Sequence, residues 1–247
     1  MKTVMQVNKL NFYYGKFQAI KEISFSIGEG ECVGLIGPNG AGKTTIIRCI
    51  TGFFKPNAGT IAVYDLNPYE YRSDIMNRIG YLPENAGVYP MSLKEYLSFF
   101  GRLREIPAPD ERVETVAKLF GLHNVLKKNV IHFSQGMKQR AKLASLMLHN
   151  PELLILDDPS AALDISAKED LIYLLSELKK FNRTLIISSH DPYIMENVCE
   201  RMILIIEGQK VDDGPYDLAK WQALGRKYIP EFDMTLLNLG HKEKLGS

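Results

Sequence analysis

The chain has 247 residues, of which 45% are hydrophobic and 24% are charged, a balance typical of a globular protein rather than a disordered one. Its 30 basic and 29 acidic residues give a formal net charge of +1, which argues against a broad nucleic-acid-binding surface, so no nucleic-acid partner is expected. No run approaches the ~18 apolar residues needed to span a membrane, and the start lacks the apolar block of a signal peptide. We therefore expect a soluble protein whose three cysteines are reduced thiols.

Alternating apolar and polar residues in the N-terminal region predict half-exposed strands joined by glycine turns. These strands are Val4–Tyr13, Ala19–Ile27 and Thr60–Tyr64, and they indicate an antiparallel β patch. Four other runs are too apolar to be half exposed, as the central strands of a parallel sheet are. They are Cys32–Ile36, Leu153–Leu156, Thr184–Ser188 and Met202–Ile206.

Strand signals vanish between about residues 91 and 150, where apolar residues such as Leu93, Tyr96 and Leu97 recur at helical spacing. We interpret this region as a helical insertion in an α/β core. The predicted organisation is a single domain over 1–225, with the core and β patch at 1–84 and 151–225 and the helical subdomain at 85–150. Residues 226–247 are predicted to form a C-terminal tail.

A glycine-rich segment follows the first core strand and precedes a helical pattern. Its residues are Gly37, Pro38, Asn39, Gly40, Ala41, Gly42, Lys43 and Thr44, which spell GxxxxGK[ST]. That spacing describes a loop whose backbone N–H groups wrap a nucleotide phosphate. Lys43 is placed to reach the β- and γ-phosphates, and Thr44 offers its hydroxyl to Mg²⁺. The helix that runs on from Thr45 adds the positive end of its dipole. The sequence therefore predicts an α/β fold of the P-loop NTPase type.

Two carboxylates, Asp157 and Asp158, end the apolar run Leu153–Leu156. The carboxyl end of a strand is where open α/β sheets place their ligand chemistry. Asp157 fits the role of holding the Mg²⁺ bound by Thr44, through water. A solvated strand end is the alternative interpretation, which the upstream phosphate loop disfavours.

Ser134 precedes a helical run and is well placed to cap it. The N–H groups of Ser134, Gln135 and Gly136, together with the Ser134 hydroxyl, would form a second anion site. Taken alone, this segment fits an ordinary capped helix better than a binding site. It does not stand alone, because the phosphate loop and the paired carboxylates accompany it.

The set of motifs and their order resemble the nucleotide-binding subunits of ATP-binding cassette (ABC) transporters, to about residue 215. Phe133–Met137 resembles the LSGGQ signature of that family, and Ala162–Asp164 resembles the loop that crosses between its subunits. The resemblance implies ATP and Mg²⁺ as cofactors. It also implies that two subunits dimerise head to tail around ATP and drive a separate membrane-spanning permease.

Three further roles follow from the same resemblance. Tyr14 matches the aromatic residue that stacks on adenine, with Tyr13 as its rival, since strand alternation would bury one of the two. His190 matches the switch histidine that contacts the γ-phosphate. Glu84 stands where the family has the glutamine of the loop that faces the metal and the membrane partner, so we predict it as a metal-site residue.

The sequence departs from the family pattern at several site positions. Gln135 and Met137 replace a signature glycine and glutamine, while the phosphate-facing Ser134 and Gly136 remain. Asp158 replaces the glutamate that polarises the attacking water, which shortens the reach by one C–C bond, about 1.5 Å. We predict Asp158 and His190 as catalytic residues, with Asp158 as the general base. We expect ATP hydrolysis to be slow unless the dimer closes tightly.

The resulting prediction is an ATP-binding and ATP-hydrolysing subunit, a homodimer or a heterodimer with another ABC ATPase. It would lie at the cytoplasmic face of the membrane, bound through a permease. Its motifs favour the exporter-like branch over sugar importers. The alternative is a soluble ABC ATPase that remodels a protein or nucleic-acid assembly. A small GTPase is disfavoured because no NKxD motif follows the phosphate loop.

Overall fold

The computed structural model describes residues 2–217, together with residues 220 and 224. Its strands are β1 Thr3–Tyr14, β2 Phe17–Gly28, β3 Cys32–Ile36, β4 Ala58–Val63, β5 Ile79–Leu82, β6 Leu153–Asp157, β7 Thr184–Ser189, β8 Arg201–Ile206 and β9 Gln209–Pro215. Its α-helices are α1 Lys43–Ile50, α2 Arg72–Arg78, α3 Leu93–Leu103, α4 Pro109–Leu119, α5 Gln135–Leu146, α6 Ile165–Lys180 and α7 Pro192–Val198.

Six strands form the central sheet in the order β5-β6-β7-β3-β8-β9. The neighbours from β5 to β8 pair in parallel, and β9 closes one edge as an antiparallel hairpin with β8. Because β6, β7 and β3 are adjacent and parallel, their carboxyl ends meet at one edge of the sheet. That edge receives the phosphate loop, the Asp157–Asp158 pair and the His190 loop.

A separate three-stranded antiparallel sheet has the order β2-β1-β4. It confirms the predicted N-terminal β patch. Alternate residues of β3 divide the apolar core between the two faces of the central sheet: Cys32 and Ile36 join the helices of the C-terminal half and the helical region, whereas Val33 and Leu35 join the β patch and α1. The central strand is buried along its whole length, as a parallel strand covered on both faces must be.

Helices α3, α4 and α5 lie between β5 and β6, where helical spacing was predicted. A capping box begins α3, in which the Ser92 hydroxyl accepts from the Glu95 amide and the Glu95 carboxylate accepts from the Ser92 amide. Ser134 caps α5, as predicted, and its hydroxyl accepts from the Met137 amide at 3.2 Å. No helix within the described residues is long and apolar enough to cross a membrane.

The structure adds elements that the sequence patterns did not predict. These are the edge strand β5 and the short helices α2 and α7. All three cysteines are buried and unbridged, as expected. The predicted tail, 226–247, lies outside the described residues.

Candidate nucleotide site

The phosphate loop runs from the end of β3 into α1 and depends on glycine at two close approaches. A Cβ on Gly37 would stand 2.1 Å from the carbonyl oxygen of Ile205, closer than two unbonded atoms can lie. Gly42 has φ +106 and packs against Ile20, a conformation that side-chain-bearing residues rarely adopt. The loop is therefore held by β8 on one side and by the β patch on the other.

Lys43 is buried at the base of this loop. Its ammonium group donates to the carbonyl oxygens of Gly37 at 2.6 Å and Pro38 at 3.0 Å. Burial lowers the pKa of Lys43, while the carboxylates of Asp158, Asp157 and Glu84 oppose that change. A desolvated ammonium held by two neutral carbonyls is poised to exchange them for an anion, since an ionic partner gives the stronger hydrogen bond.

Asp157 ends β6 and is 2% exposed. Its Oδ1 atom accepts from the Ser188 hydroxyl at 2.5 Å and from the Thr44 hydroxyl at 3.2 Å. Its Oδ2 atom is buried, and no hydrogen-bond partner for it lies within the described residues. A buried, unpartnered carboxylate oxygen carries a large desolvation cost. This oxygen, beside the Thr44 hydroxyl, fits an oxygen-bound cation such as Mg²⁺.

Asp158 follows immediately and adopts the left-handed conformation, with φ +43. Its amide donates to the carbonyl and hydroxyl oxygens of Ser188 at 3.0 and 3.1 Å. Its Oδ2 atom lies 2.7 Å from Nδ1 of His190. Its Oδ1 atom has longer contacts, both 3.4 Å, to the hydroxyls of Ser160 and Ser189. The two predicted catalytic side chains thus touch each other.

Tyr14 lies at the end of β1, and its hydroxyl is 3.2 Å from that of Thr45 on α1. Its ring packs edge-on against Phe12 and Phe54, with centroids 5.0 and 5.9 Å away. The expectation that alternation would bury either Tyr13 or Tyr14 is wrong, because both are exposed, at 39% and 45%. The strand ends here in a two-residue turn, and alternation does not decide burial beyond the packed part of a sheet. The hydroxyl contact places Tyr14 beside the phosphate-loop helix.

Glu84 is exposed and lines one pocket with Asp157, Asp158 and, from α5, Gln139 and Lys142. The structure therefore brings this predicted metal-site residue near the two strand-end carboxylates.

The signature residues Ser134–Gly136, in contrast, do not join this group. Ser134 and Gln135 are exposed at the start of α5, and no hydrogen bond among the described residues joins Ser134–Gly136 to the phosphate loop.

Sequence reasoning missed the serines that support the carboxylates, namely Ser160, Ser188 and Ser189. All three are at most 3% exposed. Serine at a strand end is common, so only their position, with Ser160 just after β6 and Ser188 and Ser189 at the end of β7, could have singled them out. It also missed Lys168, whose ammonium lies 2.6 Å from a carboxylate oxygen of Asp191, next to His190.

Comparison with known proteins gives a consistent result. The family model for ABC transporters matches residues 20–161. The bacitracin transport ATP-binding protein BcrA of Bacillus licheniformis is 35% identical over 237 residues, which cover 95% of this chain and 76% of that protein. The ABC transporter ATP-binding protein NatA of Bacillus subtilis is 33% identical over 204 residues, which cover 80% of this chain and 82% of that protein.

A solved structure agrees over the whole length. The chain matches cbiO1 from Clostridium perfringens, part of the ABC transporter complex cbiONQ, with a TM-score of 0.80 and 26% identity, covering 99% of this chain and 100% of that one. The predicted α/β fold and ATPase function are thereby confirmed. The chain belongs to the ABC transporter family, as an ATPase subunit that powers transport through a separate permease.

Proposed function

We propose that this chain binds ATP between two subunits, with the phosphate loop Gly37–Thr44 of one facing Ser134–Gly136 of the other. The partner subunit is either a second copy or a related ABC ATPase. The observation that carries this proposal is that Ser134–Gly136 makes no hydrogen bond to the phosphate loop of its own chain among the described residues. Ser134 and Gln135 are exposed at a capped helix start, where N–H groups and the helix dipole favour an anion.

In the proposed site, Lys43 releases the carbonyls of Gly37 and Pro38 and binds the β- and γ-phosphates. The exposed ring of Tyr14 stacks on the adenine. The metal site would comprise Thr44 and Glu84, with Asp157 holding the metal through water. Mg²⁺ there would neutralise charge on the transferred phosphate. The buried Oδ2 atom of Asp157, which has no partner among the described residues, supports this assignment.

Asp158 and His190 would carry out the hydrolytic step. The Oδ2 atom of Asp158 is fixed by Nδ1 of His190, whereas Oδ1 has only long contacts and can accept the proton of the attacking water. His190 would contact the γ-phosphate through its second ring nitrogen, since its side chain is 52% exposed. Positioned general bases contribute about 10²–10⁴ in rate.

The proposed site is tested by nucleotide-driven self-association of the purified chain. We expect a non-hydrolysable ATP analogue with Mg²⁺ to shift the monomer to a dimer in analytical ultracentrifugation, and Ser134→Arg to prevent that shift while leaving binding of a fluorescent ATP analogue intact. An analogue that binds without promoting association, even when the permease and any ABC ATPase that co-purifies with it are supplied, would contradict the shared site.

We also propose that the subunit sits at the cytoplasmic face of a membrane, bound to its permease near Glu84, and that the complex is an exporter. The sequence around Glu84 and Ser134 supports this choice. BcrA, by its name, takes part in bacitracin transport. Affinity purification from detergent-solubilised membranes tests the partner: a co-purifying multi-span protein is expected, and recovery of soluble partners alone would contradict the proposal.

A further inference from the structure

The first turn of α6 contacts two segments that serve different nucleotides in the proposed dimer. On one side, a Cβ built on Gly136 would lie 3.1 Å from the Cβ of Ala167, so the signature backbone packs tightly on α6. One turn further along each helix, Arg140 and Asp170 form an ion pair at 3.6 Å. The signature helix and α6 are thus joined at two points.

On the other side, Lys168 forms an ion pair with Asp191 at 2.6 Å. The two side chains are 29% and 15% exposed, so this pair is better shielded from solvent than ordinary surface pairs, which contribute little. Asp191 is itself well fixed: its second carboxylate oxygen accepts from the Tyr193 amide at 3.0 Å, and its own amide donates to the Ser189 hydroxyl at 2.9 Å.

Asp191 directly follows His190, so whatever fixes Asp191 also sets the direction of the His190 backbone. Lys168 therefore ties the His190 loop to the same helical turn that touches the signature. Residues 167 and 168 are neighbours on one rigid helix. A displacement of α6 at Gly136 would therefore also move the Lys168 ammonium that holds Asp191, because close-packed elements transmit strain.

We propose that Lys168 is a positioning residue for His190 and that it transmits the seating of the signature to the chain's own catalytic histidine. This inference rests on the proposed function, in which Ser134–Gly136 contacts the partner's ATP while His190 contacts the ATP of its own subunit. When Ser134–Gly136 of one chain binds the partner's ATP, Lys168 would hold His190 of that same chain in position for hydrolysis of its own ATP.

The first test compares two lysines of α6. Lys168→Met keeps the aliphatic stem and removes the charge. Lys179→Met is the matched control. Lys179 lies at the far end of α6, and its ammonium is also 2.6 Å from a carboxylate oxygen, that of Glu200. We expect Lys168→Met to lower kcat about tenfold, a loss smaller than the roughly hundredfold cost of a 1 Å misplacement, with unchanged KM.

Lys179→Met should leave kcat within about twofold, as expected for an exposed pair, and Lys168→Arg should restore most of the activity because it restores the charge. A kcat of Lys168→Met equal to that of the parent would overturn the inference. So would a loss matched by Lys179→Met, or one accompanied by a rise in KM, since these indicate a structural role.

The second test is a double-mutant cycle that asks whether Lys168 and the signature act together. Ser134→Ala is combined with Lys168→Met and, separately, with Lys179→Met. If Lys168 transmits the state of the signature, the Ser134/Lys168 double variant should lose clearly less kcat than the product of the two single losses, whereas the Ser134/Lys179 losses should multiply.

Multiplying losses in both pairs would overturn the inference. The proposed function fails by a different result, namely that the parent chain neither hydrolyses ATP nor associates in the presence of a non-hydrolysable analogue. The two failures are distinguished because every variant is compared with the parent in the same assays.

Discussion

The Nδ1 atom of His190 lies 2.7 Å from the Oδ2 atom of Asp158, so the two side chains proposed for hydrolysis hold each other. An ionised carboxylate can only accept hydrogen bonds, which assigns the donated proton to Nδ1. The neutral ring then presents Nε2 as an acceptor, so the proposed contact of Nε2 with a γ-phosphate oxygen requires the protonated ring, in which Nε2 donates. This contact orients His190 and leaves Oδ1 of Asp158 as the oxygen that can face a water molecule.

Asp158→Asn should reduce steady-state ATP hydrolysis by about a hundredfold or more, in the range of a lost general base. The amide cannot accept a proton from water, although asparagine tolerates the left-handed backbone of this position, φ +43. The measurement is phosphate release at saturating ATP, with unchanged binding of a fluorescent ATP analogue as the control. Unaltered ATPase activity would exclude Asp158 as the base.

Asp158→Glu should hydrolyse ATP faster than the parent. The added methylene extends the carboxylate by about 1.5 Å, towards the position that the usual family glutamate reaches. The same phosphate-release assay measures it, with Asp157→Glu as a control that should lose activity because Asp157 is buried against Ser188 and Thr44. An equal or lower rate for Asp158→Glu would show that reach does not limit this site.

Tyr14→Ala should weaken ATP binding by about 5- to 150-fold, the equivalent of 1–3 kcal/mol for one aromatic stack on a base. Tyr14→Phe keeps the ring and loses only the hydroxyl contact to Thr45, so its affinity should stay within about threefold, since a neutral hydrogen bond contributes little net energy. Isothermal titration measures both. Tyr13→Ala is the neighbouring control, and a larger loss there than at Tyr14 would reassign the stacking residue to Tyr13.

Gly37→Ala should destabilise the fold as well as the site. Its Cβ would stand 2.1 Å from the backbone oxygen of Ile205, and neither backbone can yield without moving a core strand. Overpacking of this kind costs about 1–3 kcal/mol, which corresponds to a fall in melting temperature of roughly 2–12 °C for a domain of this size. Gly87→Ala is the control, because open space surrounds Gly87, and equal melting temperatures for the two variants would contradict the packing argument.

The sequence predicted the central sheet well where runs were long and uniformly apolar, as in Cys32–Ile36 and Leu153–Leu156. It missed β5 because Ile79–Leu82 has only four residues and includes Gly80. That glycine lets β5 lie against Leu154 of the neighbouring strand, since a Cβ there would approach its side chain to 2.6 Å. Such a reason is visible only once the strands are paired.

In the candidate site, too, some residues could be predicted from the sequence and others only from the folded structure. Residues in contiguous motifs, such as Lys43 and Asp157, could be found because their spacing along the chain is itself the signal. The Asp158–His190 contact and the Lys168–Asp191 pair join residues 32 and 23 positions apart. Nothing in either local segment specifies its partner, so these contacts depend on the order of strands in the sheet.

Acid should weaken the junction between the helical region and β5 through His149. Burial, together with the charges of Arg104 and Arg112, lowers the pKa of His149 to about 4, although the Ile79 carbonyl opposes this. Because the folded state favours the neutral ring, the contribution of His149 to the free energy of unfolding is fully present above the unfolded pKa of about 6.5 and is lost as pH falls towards 4. At pH 5 the loss should be about 1 kcal/mol after allowance for partial exposure. Urea unfolding at pH 7 and pH 5 measures the loss.

His149→Asn should remove this part of the pH dependence, whereas substitution of the exposed His132 should not. An identical pH dependence of the free energy of unfolding in the parent and in His149→Asn would refute the assignment.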